Sequence, residues 1–197
     1  MEQEKELTSQ ESLALITEMI SRARRDYLDT GLSALLWGSV IIICSLATFA
    51  NHYLKWPILD YIWFLTVAAV VPQVIIAIRE VKKRKHRAHN EPLMNGLWIS
   101  FGISMFVLSF VLATHPMPQA TAVFLTVYGI PTFTNGIGRG FRPMLIGGVA
   151  CWVLAILSLY NTYPNTMLYL TTGALFAWFI PGLILRTRYL KAQQQHV

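Results

Sequence analysis

The chain has 197 residues, of which 54% are hydrophobic and only 13% charged, with a formal net charge of +6. Such a composition, with its charges gathered into short runs, excludes an ordinary water-soluble domain and points to a chain lying largely in hydrocarbon. The basic excess calls for no nucleic-acid partner, because membrane topology accounts for it.

Residues 1–30 come first and form a polar segment with seven acids. They carry no secretory signal pattern, so insertion without cleavage is expected. Thr8-Ser-Gln-Glu11 matches a capping box, in which hydroxyl and carboxylate satisfy the free N–H groups of a helix start. Leu13, Ile16, Ile20, Ala23 and Tyr27 then recur at helical spacing on one stripe. Acids gather at the start of this helix and Arg22, Arg24 and Arg25 near its end, which suits the helix dipole. An amphipathic cytoplasmic helix is expected. It either lies on the membrane or on the protein's own cytoplasmic side, or docks through residues 9–28 on another membrane or cytoplasmic protein. Two heptads are short for a stable coiled coil, which favours the first arrangement.

Six apolar segments follow, at 32–50, 59–78, 96–114, 122–137, 144–160 and 167–185. Each approaches the ~20 residues a span needs. The fourth is the weakest, since Pro131, Thr132, Thr134 and Asn135 interrupt it. Six spans would place fifteen of the sixteen lysines and arginines on one side: those before span one, those from Arg79 to Arg87, Arg139 and Arg142, and those after span six. Lys55 alone lies opposite. By the positive-inside rule both termini are cytoplasmic. The run Lys82–Arg87 also resembles a nuclear signal or an acidic-lipid patch, but a topological anchor explains it more simply. No Asn-x-Ser/Thr sequon occurs, which agrees with a bacterial inner membrane. The expected organisation is a cytoplasmic helix at 1–30, a six-helix transmembrane domain at 31–190 and a tail at 191–197.

The spans pair into three hairpins that resemble diverged copies. Phe64-Leu-Thr-Val67 precedes Pro72, Phe124-Leu-Thr-Val127 precedes Pro131, and Tyr169-Leu-Thr-Thr172 precedes Pro181. Gly38, Gly102 and Gly148 each stand 13 residues before a polar exit residue. An internal repeat is expected, and sites tend to lie where copies meet. Each proline removes a backbone donor and crowds the carbonyl four residues earlier. In lipid that carbonyl needs a partner or a water-lined cavity. Two arrangements follow. Either the kinks only shape packing, with hydroxyls satisfying the carbonyls locally, or three kinked spans line a cytoplasmic vestibule. The second makes Gln73, Thr132, Thr134 and Asn135 candidate ligand-binding residues.

Gly136-Ile-Gly-Arg-Gly-Phe-Arg-Pro143 is the most distinctive local motif. Glycines let backbone N–H groups approach an anion, and Arg139 and Arg142 add charge for a phosphate or lipid head group. No strand precedes it, so it is not a dinucleotide fingerprint. The simpler reading is a tight turn with topological arginines. Small residues at four-residue spacing, such as Gly96, Ser100 and Ser104, suit close helix packing. Cys44 and Cys151 read as packing residues rather than a disulfide.

The chemistry is limited. No Asp, Glu, Lys or Arg falls in the middle of a span, whereas proton relays, voltage sensors and most ion-coupled pumps rely on them. Asp60 lies at a span end beside Trp56, Tyr61 and Trp63, an interfacial belt. The motifs of familiar metalloproteases, hydrolases and intramembrane aspartyl proteases are missing. His86 and His89 sit among lysines and arginines that repel a metal cation. His52 and His115 fall in different turns on the other side. No enzyme activity, cofactor or metal is expected.

Glu11-Ser-Leu-Ala-Leu-Ile-Thr-Glu-Met-Ile20 with Leu36-Trp-Gly38 resembles a group of small multi-span membrane proteins from Bacteroidota. The likeness covers about the first forty residues. It implies a cytoplasmic amphipathic helix followed by several spans in a bacterial membrane, and supplies no activity and no site. The sequence thus predicts an all-α, six-span bundle that acts as a non-enzymatic accessory or regulatory membrane protein. The alternative is a passive carrier or channel for a small neutral or anionic solute.

Overall fold

The computed structural model describes residues 30–83 and 91–194. The expected N-terminal amphipathic helix, most of the basic run with His86 and His89, and the last residues of the tail lie outside the described residues. Among the described residues the protein is all-helical. The helices are α1 (Leu32–Leu54), α2 (Phe64–Lys83), α3 (Glu91–Thr114), α4 (Ala120–Gly138), α5 (Arg142–Ser158) and α6 (Thr166–Gln194). A 3-10 turn at Pro57–Tyr61 joins α1 to α2. It takes up the first residues of the second predicted span, because Pro57 starts a separate short helix.

Among the described residues four helices, α1, α2, α3 and α6, are long and apolar enough to cross a membrane. The protein is therefore a membrane protein by the length and composition of its helices. α5 is apolar but has 17 residues. α4 has 19 residues, and Thr132, Thr134 and Asn135 lower its hydropathy beyond Pro131.

The most extensive helix pair is α4 with α5. The sequence reading had placed these two in neighbouring hairpins rather than in one. The turn between them explains the closeness. Gly140 has φ +60. Phe141 N–H donates to Gly136 O at 2.9 Å and Gly140 N–H to Ile137 O at 3.0 Å. This double bond pattern around a left-handed glycine is a Schellman cap. Pro143 then lies in the first turn of α5, where no donor is needed.

α6 packs against α1 on one side and against α5 and α4 on the other. Their shared core contains Ile41, Leu125, Tyr128, Cys151, Leu170 and Trp178. α2 leans on α1 through Ala69, with Trp63 of the preceding turn beside it, and α3 meets the core with Phe101 and Met105. Much of both flanking helices faces outward, including Phe64 and Val71 on α2 and Phe106 and Phe110 on α3. That suits lipid, which solvates apolar side chains as well as a protein core does. Cys44 and Cys151 are free, buried thiols.

α6 is not a uniform helix. Residues Leu175–Phe179 form a π-helical turn, in which Ile180 N–H donates to Leu175 O, five residues back. Pro181 follows, fully buried. It has no N–H for Ala177 O, and its ring would crowd that carbonyl in a regular α-helix. Widening the turn by one residue relieves the crowding. The wider backbone then needs space on both sides. A Cβ on Gly147 of α5 would stand 2.4 Å from Phe176 O, and one on Gly38 of α1 would stand 2.9 Å from Phe179 N. Only glycine fits at either place.

Gly147→Val is therefore expected to destabilise the bundle by about 1–3 kcal/mol through overpacking against backbone that cannot rotate away. Gly102→Val, on a part of α3 where an added Cβ meets nothing within 4 Å, should change little. Thermal unfolding of the purified protein in detergent checks the contrast. Equal melting temperatures for the two variants would contradict the packing account.

Candidate functional site at the π turn

The π turn presents Trp178 to the centre of the bundle. There its indole Nε1 donates to Thr132 Oγ1 of α4 at 3.0 Å, and Thr132 Oγ1 in turn donates to Tyr128 O at 2.8 Å. Thr132 directly follows Pro131, which is also fully buried. Its hydroxyl thus serves the carbonyl next to the one that Pro131 leaves without a helical donor. One turn further out, Trp152 Nε1 of α5 donates to Thr126 O at 3.2 Å. The backbone around the proline is therefore served by a side chain of α4 itself and by one from α5, and the α4 hydroxyl is in turn held by Trp178 of α6.

Rings close the same region. Tyr128 and Trp178 have centroids 4.6 Å apart, and Phe101 of α3 meets them edge-on at 6.0 and 5.9 Å. These separations are those of favourable aromatic pairs. On the opposite flank of α6, Ser45 Oγ and Thr171 Oγ1 lie 2.7 Å apart, linking α1 to α6. Each hydroxyl also donates to, or lies within donating distance of, a carbonyl four residues back, Ile41 O and Met167 O.

The structure brings only some of the candidate residues together. Thr132 and Asn135 share the buried face of α4, at 0% and 2% exposure. Asn135 Nδ2 donates to the Met144 thioether at 3.3 Å. Its Oδ1 is buried with no hydrogen-bond partner among the described residues. Thr134 is partly buried on the same helix. Arg139 is the C-cap of α4, partly buried, and Arg142 is exposed at the start of α5. The N–H groups of Arg139, Gly140 and Phe141 all donate to carbonyls of α4, so they are engaged in the turn itself. Arg188 of α6 covers the Phe141 ring at 5.2 Å, which ties the end of α6 to this turn.

Gln73 is elsewhere. It lies on α2 and donates through Nε2 to Ser33 Oγ of α1 at 3.1 Å, while its Oε1 is buried without a partner among the described residues. Near it the Thr30 hydroxyl donates to the Glu80 carboxylate. The six candidates therefore divide among a buried patch on α4, a turn surface and a separate α1–α2 contact. Among the described residues no three His, Cys, Asp or Glu side chains come together as metal ligands.

Sequence reasoning missed Trp178, Tyr128 and Phe101. Spacing gave no reason to single them out, because an aromatic in an apolar span reads as lipid-facing or core alike. The one available signal was Trp178 three residues before Pro181. No family model matches the chain, and no curated protein or solved structure is similar to it.

A double-mutant cycle of Trp178→Phe and Thr132→Val is expected to give a coupling energy of about 1 kcal/mol, the scale of an interhelical hydrogen bond within a membrane. Thr132→Val alone should cost more than Trp178→Phe alone, because it leaves the indole donor buried and unsatisfied. Unfolding in mixed micelles measures both, and a coupling near zero would remove the hydrogen bond from the account.

Proposed function

We propose that the chain is a six-span, non-enzymatic accessory or regulatory membrane protein with both termini in the cytoplasm of a bacterial cell. The observation that carries this reading is the filled centre of the bundle. Where the kinked helices α4 and α6 converge, Tyr128, Trp178, Leu125 and Thr132 are packed and buried, and the polar groups between them serve backbone carbonyls. Side chains used in this way hold helices together. Substrate handling would need the same groups to be exposed to a passage.

The outer face of α3 supports a docking role. Its Gly96, Ser100 and Ser104 are exposed, and nothing lies within 4 Å of a Cβ added at Gly96. By contrast Gly38 of α1, Gly147 and Gly148 of α5 and Gly173 and Gly182 of α6 are covered by neighbouring helices, and close approach of helices at such residues is what drives association in lipid. Residues 9–28 would add a cytoplasmic contact. Deleting residues 1–28, or replacing Ser100 and Ser104 with Leu, should abolish co-purification of a partner while the transmembrane bundle keeps its melting temperature. Unchanged association in both variants would count against the reading.

A second reading, a passive carrier for a small neutral or anionic solute, draws on Asn135 Oδ1 and Gln73 Oε1. Both are buried amide oxygens without a partner among the described residues, and such a group costs about 1–3 kcal/mol unless something satisfies it. Under this reading Asn135→Leu and Gln73→Leu each lower solute flux into protein-containing liposomes. Under the accessory reading they leave it at the background of empty liposomes.

A further inference from the structure

At the end of the bundle away from the Schellman turn, three segments border an open polar groove of about 320 Å³. The end of α1 supplies Asn51, His52 and Lys55, the 3-10 turn supplies Asp60, and the α5–α6 loop supplies Tyr163. We propose that this groove binds a zwitterion that carries a primary ammonium and a phosphate or carboxylate, with Asp60 taking the ammonium and Lys55 the anionic group.

The side chains are arranged around two separated charges. Asn51 braces the floor: its Oδ1 accepts Trp56 N–H at 2.8 Å and its Nδ2 donates to Asp60 Oδ1 at 2.7 Å. The carboxylate is thereby fixed in place by a neutral amide, with its second oxygen available. Opposite charges in one groove would ordinarily pair with each other. Here Asp60 is bonded to Asn51 instead, and no ion pair joins it to Lys55 among the described residues. Both charges are thus left for an outside group. Among the described residues Lys55 is the one lysine or arginine at this end of the bundle, and it occupies a left-handed cap position at φ 52. Glycine or asparagine is the usual residue there. The ring of His52 stands edge-on to Tyr163 at 5.4 Å, which closes one side of the groove. Tyr53, Trp56 and Tyr61, neighbours of the groove residues in the chain, are exposed, and aromatics of this kind concentrate at the depth of lipid head groups.

A primary ammonium can donate hydrogen bonds to Asp60, and a trimethylated one cannot. An anionic head group without a cation satisfies only Lys55. The groove therefore discriminates by N–H donors as well as by charge. The ligand can be the head group of a phosphatidylethanolamine or a soluble zwitterion of the same chemistry.

The test uses the full chain in detergent micelles, titrated with dihexanoyl-phosphatidylethanolamine or dihexanoyl-phosphatidylcholine and read by native mass spectrometry. The ethanolamine lipid is expected to bind about tenfold tighter, the scale set by charge-assisted hydrogen bonds. Asp60→Asn should remove that preference, and Lys55→Gln should weaken binding of both lipids by about tenfold, since each carries the phosphate that Lys55 takes. Lys55→Gln breaks no hydrogen bond within the structure, so it carries the test if Asp60→Asn disturbs folding. Competition by soluble O-phosphoethanolamine would identify a free solute as the ligand, and a lack of competition would identify the lipid head group. Equal binding of the two lipids, or an affinity that Lys55→Gln leaves unchanged, overturns the proposal.

Discussion

The π turn of α6 is the constraint from which the rest of the bundle follows. Pro181 cannot complete an α-helical turn, so the chain widens by one residue before it. That widening has two consequences. It pushes backbone outward, where Gly38 and Gly147 receive it, and it sets the rotation of the helix that aims Trp178 at Thr132. The second proline helix, α4, is then bonded to the first through the side chain that follows its own proline. In hydrocarbon, an unsatisfied backbone group costs several kcal/mol. A proline in a span is therefore a demand on its neighbours. Here Thr132 of α4 and Trp152 of α5 donate to carbonyls beside Pro131, and Gly38 of α1 and Gly147 of α5 make room for the turn before Pro181, so both proline helices are held at the packed centre.

The long apolar helices were legible in the sequence because their cause is local. Composition over about 20 residues decides whether a helix can sit in lipid, and the predicted boundaries fall within five residues of the observed ones except at the end of α6, which runs past 185 to Gln194. The Gly136–Pro143 turn was legible for the same reason: glycine past the end of one helix and proline inside the next are local signals. What was not legible is rotation. Spans surrounded by apolar lipid and apolar neighbours show no strong amphipathic stripe, so nothing in spacing says which face of α6 turns inward. A π turn shifts every later residue by about 100° relative to a regular helix, and that shift decides whether Trp178 meets Thr132 or lipid. The candidate site suffered most from this. Thr132 and Asn135 were named for their polarity and do lie together, but Gln73 belongs to another helix contact, and the aromatic partners were invisible.

The two ends of the bundle are built on different principles. At the Arg139–Arg142 end, charge is tied to the fold: Arg188 covers Phe141, and the turn's N–H groups bond its own helix. At the other end, Asp60 is bonded to an asparagine that also satisfies the backbone of Trp56, and Lys55 lines the same groove. The first arrangement consumes its polar groups to end helices. The second leaves them exposed while fixing where they stand, which is the property a recognition surface needs.

The three prolines that suggested a repeat have three different fates, and the differences separate sequence likeness from structural equivalence. Pro72 lies in α2, partly exposed, within a helix that continues through it. Pro131 is buried in α4, where a threonine hydroxyl and a tryptophan from α5 serve the nearby carbonyls. Pro181 is buried behind a π turn. The same residue produces unlike geometry because the outcome depends on what packs against the freed carbonyl. At α2 only one neighbouring helix is in extensive contact, so little forces the backbone to adapt. At α4 and α6 several helices press on the kink, and the bundle settles where their donors and glycines match it. The packed centre is therefore a property of the helices' mutual contacts and not of the motif that recurs along the chain.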